Sequence, residues 1–173
     1  MEEVKLPVEK VDIIISEWMG YFLLFESMLD SVLFARNKYL EPSAGLVLPN
    51  FFEMHLFAVS DTELHAKTIN FWSDVYGFKM NVMKGHVIKD AQVVTLDKES
   101  VVSDLFKFKE IDCLNCTVDE ISKFEVEFNL KINKDTLLTG IGASFDTFFN
   151  QAPLKQKVGF ANVPVNLFKR KIS

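Results

Sequence analysis

The first fifty residues alternate between short apolar runs and one amphipathic segment. Residues 11–15 read Val-Asp-Ile-Ile-Ile and residues 45–49 read Gly-Leu-Val-Leu-Pro, near-continuous runs that are typical of parallel strands covered on both faces. Between them, apolar residues recur at steps of three and four over residues 25–40, which predicts a helix that ends before Pro42. The order strand, loop, helix, strand predicts the tail of an α/β sheet.

From residue 50 onward the apolar period changes to two. The segment Lys123–Asn133 alternates strictly between apolar and polar residues, which predicts a half-buried antiparallel strand. Four further strands are predicted, at residues 52–58, 86–96, 106–113 and 137–149. We expect this second region to form an antiparallel β-sandwich or barrel.

One stretch, residues 62–83, interrupts the β pattern. It contains Phe71-Trp72 and the run Asp74–Met80, with short helical spacing and several large aromatic residues. Two interpretations are open. Aromatic residues concentrated in an insertion between strands can form a protein–protein contact, or they can close one end of the barrel as part of its core.

Composition restricts the class of protein. Hydrophobic residues make up 49% of the 173, including 17 Phe, so a substantial core can form and disorder is not expected. The most apolar stretch is divided by Glu17, Glu26 and Asp30 and is too short to span a membrane. The acidic N-terminus lacks the apolar region of a secretory signal. We therefore expect a soluble protein of the cytoplasm, the nucleus or both.

The two cysteines lie close together, at Cys113 and Cys116. A structural zinc site takes about four ligands, and His55, His65 and His86 show no spacing that would complete one. We expect structural thiols in a reducing compartment and predict no metal site.

Charge is distributed unevenly along the chain. The net charge is -5 and residues 151–173 carry five cations without an acid, so residues 1–150 carry -10. An acidic body favours basic partners by long-range attraction, although ordinary solubility explains the same charge. The body has no basic patch interleaved with aromatic residues, so we expect no direct binding of nucleic acid.

Two glutamates, Glu17 and Glu26, bracket an otherwise uncharged and mostly apolar run. Nine residues of separation place them on opposite faces of a helix or a strand, so they converge only if the chain reverses, and Gly20 supplies a bend. Glu17 follows a predicted parallel strand, at the end of an α/β sheet where ligands bind. Glu26 is predicted to lie in the first turn of the next helix, where an anion is favourable.

Several chemistries suit two convergent carboxylates. They can form a glycosidase acid/base pair, coordinate a divalent metal, or clamp the planar fork of an arginine guanidinium. The neighbouring rings of Trp18, Tyr21 and Phe22 also suit a cation. A solvated Glu17 with a helix-capping Glu26 remains the alternative from spacing alone.

The identities of the residues in this stretch say more about function than the spacing of the two glutamates does. Residues 8–21, Val-Glu-Lys-Val-Asp-Ile-Ile-Ile-Ser-Glu-Trp-Met-Gly-Tyr, followed by Glu-Ser-Met-Leu at 26–29, resemble the protein arginine N-methyltransferases. They match the double-E loop of the type I enzymes, which make asymmetric dimethylarginine. Residues 71–80 resemble the segment after the first barrel strand of that family, and the resemblance weakens toward residue 160.

The resemblance implies roles for individual residues. Glu17 and Glu26 would be the catalytic pair that grips the substrate guanidinium and orients a nitrogen toward the methyl group of S-adenosyl-L-methionine. Glu2 matches an acidic residue that contacts this cofactor. Four further residues match the substrate pocket: Ser16, Met19, Tyr21 and Met28.

The resemblance also implies an architecture. Residues 1–49 would be the C-terminal part of a Rossmann-like methyltransferase domain, and residues 50–160 a β-barrel substrate-binding domain, both incomplete. A helical dimerisation arm at about 64–83 would form a homodimer or heterodimer, and residues 161–173 would be a divergent basic tail. The implied substrates are arginine-containing proteins, with histones among those the family allows.

The chain also departs from the family pattern. The family's glycine-rich cofactor loop lies upstream of these motifs, its Thr-His-Trp loop would follow Phe160, and Gly140-Ile141-Gly142 is only a weak nucleotide-loop candidate. We therefore expect the isolated chain to bind the cofactor weakly and to be inactive alone. The alternative function is a non-catalytic, truncated interaction protein that dimerises with an intact family member.

Overall fold

The computed structural model describes residues 3–150 and a short strand at 164–165. The elements, in chain order, are β1 (Ile13–Ile15), α1 (Leu29–Tyr39), β2 (Leu46–Leu48), β3 (Phe51–Val59), α2 (Thr62–Thr68), α3 (Lys84–Val87), β4 (Phe106–Asp112), α4 (Val118–Ser122), β5 (Gly140–Phe148) and β6 (Pro164–Val165). Three-residue to four-residue 3₁₀ turns occur at Asn70–Ser73, Asn81–Met83 and Lys98–Ser100.

The chain divides into two compact units that share the long strands. Among the described residues, the first unit comprises 3–55, 107–128 and 143–150, and the second comprises 56–106 and 129–142. The proposed domain limits at residues 49 and 160 stay predictions. In the described part of the chain, no helix combines the length and the apolar character that crossing a membrane requires.

The first unit contains the predicted strand–helix–strand arrangement. β1 pairs in parallel with β2, from Ile13 opposite Leu46 to Ile15 opposite Leu48, and α1 connects them. The prediction that β1 is covered on both faces is wrong for the described residues, because Ile13 and Ile15 are 50% and 78% exposed. Only Ile14, between them, packs against the core, so one face of this two-stranded sheet is covered.

One hydrophobic cluster holds the first unit together. It joins the loop after β1, one face of α1, and residues of β2, β3, β4 and α4. Its buried members are Trp18, Met19, Leu23, Leu29, Val32, Leu33, Leu40, Val47, Phe52, Met54, Ile111, Cys113 and Ile121. Residues from distant parts of the chain thus meet beneath the stretch that contains the two glutamates.

The sequence predicts a β-sandwich or barrel for the second region, and the described residues form a four-stranded sheet that does not close into a barrel. Four strands are ordered β4-β3-β5-β6, and β5 pairs with β6 in an antiparallel sense. The strands predicted at 52–58, 106–113 and 137–149 are confirmed as β3, β4 and β5.

Two predicted strands are wrong. The segment 86–96 begins in α3 and then continues without regular structure. Lys123–Asn133 forms only an isolated bridge, between Ile132 and Ser103. Alternation of apolar and polar residues shows that a segment can present two faces, but a strand also needs a neighbour for its N–H and C=O groups. Without that ladder, Phe128 remains 46% exposed.

The interrupting stretch 62–83 is helical at Thr62–Thr68 and has 3₁₀ turns at Asn70–Ser73 and Asn81–Met83, whereas the helical spacing predicted for residues 74–80 is wrong. Asp61 caps α2 by accepting a hydrogen bond from the Leu64 N–H at 2.8 Å. Beyond it a tight turn reverses the chain, with positive φ at Tyr76 and Gly77 and a bond from the Gly77 N–H to Asp74 Oδ1 of 2.6 Å. The turn leaves Tyr76 94% exposed.

Candidate active site

Glu17 lies just beyond the carboxyl end of β1. The strand ends at Ile15, and the Ser16 N–H donates to the Leu48 carbonyl oxygen at 3.1 Å, which continues the pairing with β2 by one bond. Glu17 follows outside the strand and is exposed. Because β1 and β2 are parallel, their carboxyl ends form one edge of the sheet, the edge at which α/β sheets bind ligands.

The chain reverses between the two glutamates, as predicted. Gly20 and Leu23 form an antiparallel bridge with reciprocal N–H to O bonds of 3.0 and 2.9 Å. The residues with positive φ are Phe22 and Leu23, at 48° and 65°. The prediction that Gly20 makes the bend through its own backbone freedom is therefore wrong.

Gly20 instead allows the Glu26 side chain to approach the backbone closely. A Cβ at this position would lie 3.0 to 3.2 Å from the Cγ, Cβ and Cδ atoms of Glu26. Any residue other than glycine at position 20 would require the Glu26 side chain to shift. The reversal thus returns the Glu26 side chain to a backbone position three residues beyond Glu17.

Buried side chains fix this loop to the core. Trp18, Met19 and Leu23 are 2%, 8% and 1% exposed, and the ring of Trp18 meets that of Phe52 edge-on at 4.7 Å. The indole N–H of Trp18 is buried without a hydrogen-bond partner. These buried side chains hold the loop against the core, while Glu17 and Glu26 on either side of them are exposed.

The position of Glu26 corrects one prediction. α1 begins at Leu29, and Met28 is its N-cap residue without a side-chain hydrogen bond. Glu26 therefore lies before the helix, and the acid in the first turn is Asp30. The favourable interaction of Glu26 with the helix dipole, expected from the sequence, does not apply, because that effect is confined to the terminal turn.

The remaining predicted site residues lie in different environments. Ser16 is half-buried next to β1, Tyr21 is 57% exposed and Met28 is 45% exposed. Met19 belongs to the hydrophobic core. Glu2 lies outside the described residues.

Sequence reasoning missed Asn50, which lies two residues after β2 at the same sheet edge. Asn50 is 4% exposed, and its side chain exchanges two hydrogen bonds with the backbone of Asn150, of 3.1 and 2.7 Å. Its own carbonyl accepts from the Cys113 N–H at 2.9 Å. Asn50 thus fixes the start of β3 beneath the loop. In the sequence, only the presence of a polar residue directly after Leu-Pro indicated this role.

The candidate nucleotide loop at Gly140 to Gly142 is excluded by its position. Both glycines lie inside β5, with no helix following in the described residues. A Cβ at Gly142 would lie 2.2 Å from Cε2 of Phe57, so this glycine makes room for an aromatic ring.

The chain matches known proteins along most of its length. Residues 52–168 match the family model of the arginine methyltransferase oligomerization subdomain. Protein arginine N-methyltransferase 1 of Dictyostelium discoideum is 42% identical over 151 residues, which cover 87% of this chain and 44% of that protein. The probable protein arginine N-methyltransferase 1.2 of Arabidopsis thaliana is 40% identical over 164 residues, covering 95% and 44%.

A solved structure of an arginine methyltransferase also matches this chain. The PRMT1 enzyme–prozyme heterotetrameric complex of Trypanosoma brucei with AdoHcy superposes with a TM-score of 0.78 at 34% identity, over 86% of this chain and 46% of that chain. This chain spans less than half the length of the relatives that it matches. On both the sequence and the structural match, the chain belongs to the protein arginine N-methyltransferase family.

Proposed function

We propose that this chain provides the guanidinium-binding part of a type I, S-adenosyl-L-methionine-dependent protein arginine N-methyltransferase. The observation that carries the proposal is the reversed loop, which packs Glu26 over Gly20 just beyond Glu17 at the carboxyl edge of a parallel sheet. The identity of about 40% to arginine methyltransferases supports the same activity. Arginine-containing proteins, histones among them, are the proposed substrates.

The chemistry of the two acids fits a guanidinium. Arginine stays charged at any ordinary pH and offers five N–H donors in one plane, and carboxylates accept them in charge-assisted bonds. Holding the guanidinium from two sides fixes the orientation of the nitrogen that is to be methylated and places negative charge next to it. Positioning and electrostatic stabilisation of this kind are the main contributions a protein makes to such a transfer.

The backbone of the loop is consistent with a functional role. Phe22, Leu23 and Ser27 all have φ between 48° and 65°. Each such conformation costs about 1–3 kcal/mol and persists only where the surroundings impose it, which is common at ligand sites. Tyr21 and Phe22 remain exposed on the same loop and offer apolar walls for the stem of a substrate arginine.

The cofactor site is a separate matter. The described residues contain no glycine-rich turn between a strand and a helix, the feature that would cradle the nucleotide end of the cofactor. S-adenosyl-L-methionine supplies the methyl group in this family. The residues of this chain accept hydrogen bonds from the guanidinium and orient it.

Binding of peptides tests the clamp directly. We expect an arginine-containing peptide to bind the full chain in isothermal titration, and the same peptide with citrulline, which has the shape but not the charge, to bind far less. Glu17→Gln and Glu26→Gln should each weaken arginine binding about 10- to 100-fold, because each loses a charge-assisted bond. Glu9→Gln, an exposed acid before β1, is the matched control and should bind as the unchanged chain does.

Equal affinity for the arginine and citrulline peptides would contradict the clamp. A separate titration with S-adenosyl-L-methionine addresses the cofactor. We expect binding weaker than micromolar, and micromolar affinity would contradict the expectation that the cofactor site is only partly present.

A second candidate function, a non-catalytic partner of an intact family member, is favoured by the match to an oligomerization subdomain. In the second unit, three apolar side chains of the segment 64–83 are largely exposed: Tyr76 at 94%, Val82 at 76% and Phe78 at 73%. Exposed aromatic residues of this density are typical of interface cores.

Co-elution tests this partner role. We expect the chain to co-elute on size exclusion with the intact Dictyostelium relative, and Tyr76→Ser with Phe78→Ser to abolish co-elution. Val126→Ser, which changes a 41%-exposed apolar residue outside the segment, is the control and should leave it intact. Failure of the unchanged chain to co-elute would contradict the role.

A further inference from the structure

A second polar cluster lies on the four-stranded sheet, apart from the two glutamates. Glu53 and His55 are two residues apart on β3, so their side chains share one face, and Asp146 lies on the neighbouring strand β5. One possible ligand atom from each residue lies within 4.8 Å of the other two. All three residues belong to the first compact unit.

The imidazole of His55 sits between the two carboxylates without bonding to either. Nδ1 of His55 is 3.7 Å from Oδ2 of Asp146, and Nε2 is 3.7 Å from Oε2 of Glu53. These distances exceed a hydrogen bond. Although the His55 side chain is only 9% exposed, Nδ1 is buried without any hydrogen-bond partner. A buried nitrogen that is left unpaired is costly, and this one faces a carboxylate across a gap.

We propose that Glu53, His55 and Asp146 bind a zinc ion. Zinc takes imidazole nitrogen at about 2.0–2.1 Å and carboxylate oxygen at about 2.0–2.2 Å. At a tetrahedral angle, such bonds separate two donor atoms by about 3.4 Å, close to the 3.7 Å between His55 Nδ1 and Asp146 Oδ2. The ion binds Nδ1 of His55 beside Asp146, and the Glu53 carboxylate, which lies nearest Nε2, turns toward it from within 4.8 Å. The ion thereby satisfies the unpaired nitrogen.

The charges around the cluster favour a divalent ion. One oxygen of Glu53, Oε1, accepts a hydrogen bond from Lys107 Nζ at 2.9 Å, which leaves Oε2 for the metal. Lys107 also pairs with Glu110, so the three carboxylates and this one ammonium leave two negative charges to balance those of zinc. The imidazole selects zinc over magnesium and calcium, which prefer oxygen ligands. The side chains of Glu53 and Asp146 are 23% and 32% exposed, so the ion has a path from solvent and a fourth position is open to water.

The cysteines are poor competitors for this ion. Burial is the main cause that raises the pKa of both the Cys113 and the Cys116 thiols, and metal ligation requires the thiolate. Sequence reasoning looked for zinc through these cysteines and through histidine spacing. It missed the cluster because Asp146 joins it only through the pairing of β3 with β5.

Titration of the full chain with zinc chloride, in a buffer without chelators and on protein without a histidine tag, tests the proposal. We expect one equivalent to bind, magnesium not to compete, and the thermal midpoint to rise with zinc. Asp146→Asn should weaken binding about tenfold or more, since lesser changes around metal ligands already cost that much. His55→Asn should abolish the site.

Two control variants localise the ion. His86→Asn changes an exposed histidine elsewhere, and Cys116→Ser removes one thiol, so both should bind zinc as the unchanged chain does. If His55→Asn fails to fold by circular dichroism, Asp146→Asn still decides, because it is nearly isosteric and partly exposed. Unchanged affinity in Asp146→Asn, loss of binding in Cys116→Ser, or no binding to the unchanged chain at micromolar zinc would each overturn the proposal. None of these outcomes depends on arginine binding.

Discussion

Gly20 is the residue on which the arrangement of the two glutamates depends most directly. A Cβ at this position would lie 3.0 to 3.2 Å from three atoms of the Glu26 side chain, which would have to shift by a few tenths of an ångström. The two acids and the need for a reversal between them were predictable from their spacing. The left-handed backbone at Phe22 and Leu23 was not, because bulky residues rarely adopt positive φ.

We expect Gly20→Ala to impair the clamp more than the fold. The added methyl group must displace Glu26, so arginine-peptide binding in isothermal titration should weaken about tenfold, the loss of roughly one charge-assisted bond. The thermal midpoint should fall by only a few degrees. Gly85→Ala, where a Cβ would meet nothing within 4 Å, is the control and should leave binding unchanged. Full affinity in Gly20→Ala would show that the position of Glu26 does not matter.

Trp18 allows a test of what anchors the loop. Its ring fills the core, but its indole N–H has no partner, so Trp18→Phe removes an unsatisfied donor and keeps most of the apolar contact. Trp18→Ala instead leaves a cavity that costs about 3–5 kcal/mol. Urea unfolding should therefore give a clearly smaller loss for Trp18→Phe. Equal losses would mean that the indole N–H makes a bond that the ring change removes.

At the scale of elements, the apolar period of residues 25–40 predicted helix α1. The short helix α4 was not predicted, although Thr-Val-Asp-Glu at its start is a capping-box sequence in which Thr117 and Glu120 bond each other's backbone. The strand predicted at Lys123–Asn133 failed because a strand depends on a neighbour that local sequence does not specify. The prediction of a β-sandwich or barrel counted this segment as a strand, and the sheet of the described residues forms without it.

The capping box gives α4 a dependence on pH. Hydrogen bonds from the backbone N–H and the hydroxyl of Thr117 lower the pKa of Glu120 below its ordinary value. The folded state therefore holds the carboxylate more strongly than the unfolded state, and this stabilisation is present at neutral pH and lost as pH falls through the folded pKa. Glu120→Gln should make the thermal midpoint less sensitive to acidification below about pH 4.5, the ordinary range of a glutamate. Exposed Glu127→Gln is the control, and the same acid sensitivity in Glu120→Gln and the unchanged chain would contradict the role of the cap.

At the scale of the whole molecule, the two compact units are discontinuous in sequence. The first unit takes residues from three separate parts of the chain, and both clusters of functional interest lie within it. The two glutamates are close in sequence, so their loop was predictable. The cluster of Glu53, His55 and Asp146 forms only when two strands pair, so local sequence did not reveal it. The role of Asn50 was hidden for the same reason, because its side chain bonds the backbone of Asn150, which follows β5.

The match to less than half of each relative suggests a test of the complete activity. We expect a chimera, in which the matching 151 residues of the Dictyostelium relative are replaced by those of this chain, to methylate an arginine-rich peptide with S-adenosyl-L-methionine. Glu17→Gln in the chimera should lower kcat by about 100- to 1000-fold, the usual loss when one preorganised electrostatic contact is removed, while cofactor binding stays unchanged. Glu9→Gln should keep full activity, because that acid lies before β1 and away from the reversed loop. An active chimera that is indifferent to Glu17→Gln would show that the acids of this loop do not hold the substrate. An inactive chimera that still binds the arginine peptide would instead restrict this chain to guanidinium recognition.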